Sequence, residues 1–184
     1  MRKVIAAINM TLDGFCDHTA GIADDELHQH YNELLSQAGT LLYGRVTYQL
    51  MESYWPTVVK SPTGNKPVDD FAVLIQNITK IVFSRSLNDV GWKNANLAKG
   101  DLKNEVVELK KKPGKDIIAG SPSIIVALTK LNLIDEYQLC VHPVILGNGL
   151  PLFKNIINTV ILKLLKTKTL GSGAIILYYE PTKK

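Results

Sequence analysis

Apolar positions along the chain fall into two rhythms. Short unbroken runs mark buried strands: residues 3–8 (KVIAAI), 40–43, 80–83 (KIVF) and 117–119. Between them, apolar residues recur at helical spacing. Leu27, Tyr31, Leu34, Leu35 and Ala38 form one face of a helix that opens on Asp24-Asp25-Glu26 and ends at Gly39. Gly44-Arg45-Val46-Thr47 leads into a helix through Tyr48, Leu50 and Met51, and residues 55–67, with three prolines, read as loop. Further helices are predicted over 68–76 and over 101–111, the second using Leu102, Val106 and Leu109 and ending at Pro113-Gly114. Residues 88–100 carry no pattern beyond a short strand near 95–98. The strand at 117–119 then stops at Gly120-Ser121-Pro122-Ser123, and Ile124, Ile125, Leu128 and Leu131 continue on one side of a helix.

After residue 135 the pattern changes. Residues 136–145 read as a longer strand interrupted by Pro143, Gly147-Asn148-Gly149 as a loop, and 158–169 and 173–180 as two strands joined at Gly171-Ser172-Gly173. Alternating strands and helices followed by a hairpin predict an α/β fold. Its central sheet is mostly parallel, with helices on both faces and an antiparallel C-terminal hairpin.

Composition narrows the class. Residues 1–184 are expected to form a single domain, and 46% hydrophobic with 21% charged residues is ordinary for a globular protein. The N-terminal apolar run breaks at Asn9, too early for a signal peptide, and no run is long enough to span a bilayer, so a cytoplasmic location and no membrane partner are expected. The net charge of +4 comes from scattered lysines. The densest group, Lys110-Lys111-Lys112, closes a helix, where cations suit the dipole. Nucleic acid is therefore not expected as a partner, whereas an anionic cofactor or substrate would suit the charge. Cys16 and Cys140 do not suggest a disulfide framework.

The candidate chemistry lies where strands end. Gly120-Ser121-Pro122-Ser123 offers a glycine turn and a helix N-terminus with free N–H groups, a ready phosphate site or an ordinary turn. Gly44-Arg45-Val46-Thr47 repeats the arrangement and adds a guanidinium suited to phosphate. Ser84-Arg85-Ser86 follows the strand at 80–83. Ligands of open α/β sheets sit at the carboxyl ends of strands, and all three junctions are placed there, which points to a dinucleotide. His28 and His30, two apart on a helix, diverge and cannot share a metal, so no metal site is expected. His142 either lines a substrate cavity or is structural. Trp55 and Tyr54 either pack a helix on the sheet or stack on a substrate ring.

Five segments in order (INMTLDGF, LLYGRVTYQLMESYWP, KIVFSRSL, DIIAGSPSIIVAL and PVILGNGLPLF) resemble the dihydrofolate reductase superfamily. They are nearer to the reductase domain of bacterial riboflavin biosynthesis than to dihydrofolate reductase itself. The resemblance implies an NADPH-dependent reductase acting on a small heterocyclic or phosphoribosylaminopyrimidine-like substrate, often as a homodimer. It implies that Ala7 lies against the nicotinamide and that Gly44, Arg45, Val46 and Thr47 hold the phosphates. Ser84, Arg85 and Ser86 would meet the adenosine 2′-phosphate, and Gly120, Ser121, Pro122, Ser123 and Ile124 would cradle the pyrophosphate. Ser121 stands where the family often has a second glycine. Asp13, with Gly14 in a mobile loop beside the nicotinamide, would act as a catalytic orienter or proton relay, or is a plain Asp-Gly turn. The acidic opening at Asp24-Asp25-Glu26 suits a helix dipole and is not read as a folate carboxylate. A non-catalytic nucleotide-binding protein and a true dihydrofolate reductase stay open as alternatives.

Overall fold

The structure, a computed structural model, describes residues 1–182. Its elements in chain order are β1 (Val4–Thr11), α1 (Asp25–Ser36), β2 (Ala38–Gly44), α2 (Arg45–Lys60), α3 (Lys66–Asn77), β3 (Thr79–Phe83) and β4 (Ala95–Leu97). They continue with α4 (Leu102–Lys111), β5 (Asp116–Ala119), α5 (Pro122–Lys130), β6 (Glu136–His142), β7 (Leu162–Thr169) and β8 (Ile175–Pro181). The eight strands form one sheet in the order β4-β3-β2-β5-β1-β6-β8-β7. The first six run parallel, and β8 and β7 turn back as the antiparallel hairpin the sequence predicts.

Strand alternation divides the core between the two faces. Val4, Ala6, Ile8, Leu42, Ile117 and Ala119 meet α4 and α5 through Val106, Ile124, Ile125 and Leu128. Ala7, Leu41, Tyr43, Val82 and Ile118 point the other way, toward Leu35, Tyr48, Phe71 and Ile75 of α1, α2 and α3. The helices on both faces thus follow from single apolar runs buried on both sides.

Several boundaries differ from the sequence reading. Strand β1 runs on to Thr11, α3 begins at Lys66 and β7 begins only at Leu162. Three further differences have a clear physical cause. Helix α2 continues through Pro56 to Lys60, where loop was expected. An interior proline costs about 3 kcal/mol for its lost N–H and its ring clash. Here burial of Val58 and the packing of Trp55 on Phe71, with ring centroids 4.5 Å apart, offset that cost. Helix α1 stops at Ser36, and Ala38 already belongs to β2. Gly39 sits at the register shift between Ala38 and Thr40, where an added Cβ would lie 3.2 Å from Arg2 Nη2. Strand β6 ends at His142, directly before Pro143, which has no N–H for a ladder.

Lys80, the second residue of the apolar strand β3, is fully buried. Its ammonium donates to the carbonyls of Gln76, Ile78 and Lys93 at 3.2, 3.0 and 3.0 Å and lies 4.3 Å from the centre of a Trp92 ring. The charge is therefore fully partnered rather than stranded.

Candidate functional site

The carboxyl ends of β3, β2, β5 and β1 are adjacent in the sheet, so four junctions distant in sequence come together at one edge. Two of them are helix N-termini left open. Gly44 has no side chain with which to cap α2, and Ser121, at the cap position of α5, makes no capping bond. Its hydroxyl instead accepts a hydrogen bond from Gly44 N at 2.9 Å. The buried serine thus fastens one junction to the next, and both helices keep first-turn N–H groups without a capping side chain.

Close approach fixes the residue types here. A Cβ on Gly44 would stand 2.8 Å from Ser123 Oγ, and one on Gly120 would stand 3.3 Å from Tyr43 Cε1. The departure from a double glycine is accommodated, because Ser121 turns its hydroxyl inward as the fastening group.

A cavity of about 660 Å³ opens at this edge. Ala7 forms part of its floor, and Gly44, Arg45, Val46, Thr47, Gly120, Pro122 and Ser123 line the junction side. Ser121 and Ile124 lie just behind, both buried. Arg45 is exposed and reaches its own helix, donating to Gln49 Oε1 at 3.2 Å. Ser84, Arg85 and Ser86 are not among the lining residues. They sit one strand outward, since Phe83 pairs with Gly44 across β3 and β2 and it is Phe83 that lines the cavity. Ser84 Oγ accepts from Ser86 N and Leu87 N at 3.1 and 3.0 Å, shaping the turn that carries Arg85 and Ser86.

The opposite wall comes from α1, α2 and α3, with Leu27, Tyr31, Leu34, Met51, Trp55 and Phe71 among its residues. Polar groups in the lining include His28 of α1, whose Nδ1 lies 3.0 Å from the Asp24 carbonyl, Asn9 of β1, whose side-chain oxygen accepts from Tyr31 Oη at 2.9 Å, and Asp17 and His18 of the loop after β1. Of the two aromatic residues the sequence offered for stacking, Trp55 lines the cavity and Tyr54 does not. The other wall residues escaped the sequence reading because an apolar helix face looks the same whether it meets a sheet or a cavity. A larger hollow, about 840 Å³, lies near the amino end of β6, away from these junctions.

Asp13 and Gly14 lie outside the cavity lining. The Asp13 carboxylate accepts from Thr11 Oγ1 at 2.6 Å, from Leu146 N at 3.0 Å and from Gly147 N at 2.7 Å. These bonds, the Thr11 hydroxyl foremost, hold its pKa down at about 2. So firmly ionised a group, held by three hydrogen bonds, acts as a loop tether. Gly14, at φ +87°, completes that turn in a conformation open to glycine. The tether is continued by Cys16 N to Leu150 O at 2.8 Å and Leu152 N to Gly14 O at 3.0 Å. His142 is buried, and its Nδ1 accepts from Ile22 N at 3.1 Å, a structural position behind the same loop.

The acidic opening of α1 is occupied elsewhere. Asp24 caps the helix by accepting from Leu27 N, Asp25 accepts from Asn65 Nδ2, and Glu26 accepts from Gly171 N. None of the three lines the cavity. Among the described residues no helix is long and apolar enough to cross a membrane.

A mostly parallel sheet ending in a C-terminal hairpin, with its cavity at the strand carboxyl ends, is a dihydrofolate reductase-like fold. Solved structures share this architecture over nearly the whole chain. A protein named for riboflavin biosynthesis from Shewanella sp. PV-4 superposes with a TM-score of 0.76 at 20% identity, covering 98% of this chain and 99% of that one. The Thermotoga maritima diaminohydroxyphosphoribosylaminopyrimidine deaminase/5-amino-6-(5-phosphoribosylamino)uracil reductase gives 0.67 at 18% identity, over 98% of this chain and 57% of that one. Enterococcus faecalis dihydrofolate reductase, complexed with NADP(H) and RAB-propyl, gives 0.64 at 13% identity, over 98% and 97%. At these identities the likeness is one of fold. The chain belongs to the RibD C-terminal domain family, whose profile matches residues 2–176. It is 35% identical over 183 residues to the uncharacterized protein YyaP of Bacillus subtilis, covering 97% of this chain and 95% of that one.

Proposed function

We propose that the protein is an NADPH-dependent oxidoreductase acting on a small heterocyclic substrate. The observation that carries this reading is the pair of open helix N-termini, fastened by Ser121 at adjacent strand ends and facing the same cavity as Ala7. Their N–H groups and dipoles suit a pyrophosphate. Arg45 adds a fork for phosphate oxygens, and Arg85, on the turn one strand outward, suits a peripheral 2′-phosphate. The small side chain of Ala7 leaves room for a flat ring against β1.

When bound, the cofactor supplies a hydride from nicotinamide C4 to a C=N or C=O carbon. The protein's contribution is then positioning and exclusion of water. Ala7 sets how close the ring approaches the sheet, while Leu150 and Cys16, on the tethered loops, shield the cavity. The family, the reductase named in the Thermotoga maritima fold neighbour and the NADP(H) named in the Enterococcus faecalis one support this reading.

The test is a titration with NADPH and with NADH, followed by nicotinamide fluorescence at fixed salt. Selective binding of NADPH is expected. Arg85→Ala should reduce the preference by about tenfold, or ~1.4 kcal/mol, whereas Arg45→Ala should weaken both nucleotides. Failure of the wild-type protein to bind either nucleotide would overturn the proposal.

A further inference from the structure

The cavity is chemically divided along α2. Arg45, at the N-terminus of that helix, is the sole lysine or arginine among the lining residues described. Trp55 stands ten positions later on the same helix, about 15 Å further along the axis at ~1.5 Å per residue. That separation exceeds the length of an arginine side chain, so the guanidinium serves the junction side and the α1–α3 side carries no lysine or arginine. The carboxylate and imidazole groups in the lining are His28 and, on the loop after β1, Asp17 and His18.

What that side offers is aromatic and aliphatic surface. Trp55 and Phe71 pack with centroids 4.5 Å apart, and the His28 ring meets both edge-on, at 6.4 and 6.2 Å. Tyr31, Leu27 and Met51 extend the apolar wall. A phosphate pressed against these groups would lose its hydration and meet only Nε2 of His28, which is an acceptor in the neutral ring whose Nδ1–H donates to the Asp24 carbonyl. A flat ring would gain stacking contacts. His28 supplies a directional polar group. Its Nδ1 is held by the Asp24 carbonyl at 3.0 Å, and Nε2 has no hydrogen-bond partner among the described residues.

We propose that the α1–α3 side of the cavity binds a flat, uncharged heterocycle that carries no phosphate, stacked on Trp55 and Phe71 with His28 Nε2 as its polar contact. This rests on the reading that the junction side holds the dinucleotide. It narrows the substrate class to unphosphorylated rings and excludes a phosphoribosyl compound from that wall.

The test uses two probes that share one ring, 2-naphthol and 2-naphthyl phosphate, measured by equilibrium dialysis with and without saturating NADP⁺. With NADP⁺ present, 2-naphthol should bind at least about tenfold more tightly than its phosphate ester. Trp55→Leu and His28→Leu should each weaken 2-naphthol about tenfold while leaving the nucleotide titration unchanged. Equal or tighter binding of the ester, no binding of 2-naphthol, or binding indifferent to both substitutions would overturn the proposal. The wild-type comparison stands even if one variant fails to fold. If the nucleotide titration itself fails, the NADPH reading falls, and the 2-naphthol result on the free protein still decides this one.

Discussion

The contact between Gly44 and Ser123 shows how tightly single residues set this site. In Gly44→Ala the new methyl would be 2.8 Å from Ser123 Oγ, an overpacking expected to cost about 1–3 kcal/mol. Its other near neighbours, in Ile124 and Ser121, lie 3.9 Å away. Removing the hydroxyl in Gly44→Ala/Ser123→Ala should therefore recover most of the loss. Urea denaturation of the two single variants and the double variant would measure that non-additivity. A second residue-scale effect comes from His30, which is buried beside Tyr178 and whose pKa is lowered to about 4, chiefly by burial and then by Lys168. The fold favours the neutral ring, so its contribution is complete above the unfolded value of 6.5 and is lost as pH falls toward 4. The full loss amounts to about 3 kcal/mol. Melting temperatures should drop between pH 7 and pH 4, and less steeply in His30→Phe. Burial shifts His142 in the same direction, so some slope should remain.

The elements depend on one another through their connecting loops. Asp13 ties the segment after β1 to the one after β6. Asp13→Ala should speed amide exchange over residues 144–152 roughly tenfold while β5 and α5 stay protected, as mass-spectrometric exchange would reveal. Because the folded carboxyl titrates near 2 against an ordinary 3.8, the tether is complete above that ordinary value and is lost as pH falls toward 2. The wild-type loop should then loosen over the same acid range. Most elements were legible in the sequence, since KVIAAI, KIVF and GAIILYYE are apolar runs that only strands bury well. The extension of α2 past Pro56 was not legible. It depends on Phe71, a partner supplied by another helix, and no local rule contains that contact. Asp13 likewise reads as a turn until the residues it binds, 133 and 134 positions away, are brought beside it.

For the whole molecule, what was legible was the set of junctions, and what was not was their arrangement. Glycine, serine and arginine after apolar runs marked Gly44, Ser84 and Gly120 as candidate ligand contacts. Sheet order then drew Gly44 and Gly120 into one cavity with Ala7 and left Ser84, Arg85 and Ser86 outside its lining. Nor could the apolar wall across from them be told from core by periodicity. That same strand order bears on how the protein comes into being. Strand β5 lies between β1 and β2, so the two earliest strands are never neighbours. A ribosome that has released residues 1–112 has made both flanks of a gap and nothing to fill it. A fragment of that length should stay largely unfolded by circular dichroism, and the full chain should refold more slowly than a helical bundle of equal size, because its central pairing awaits a distant strand. Until that strand emerges, the nascent chain presents two open strand edges, and its need for chaperone protection should be greatest then.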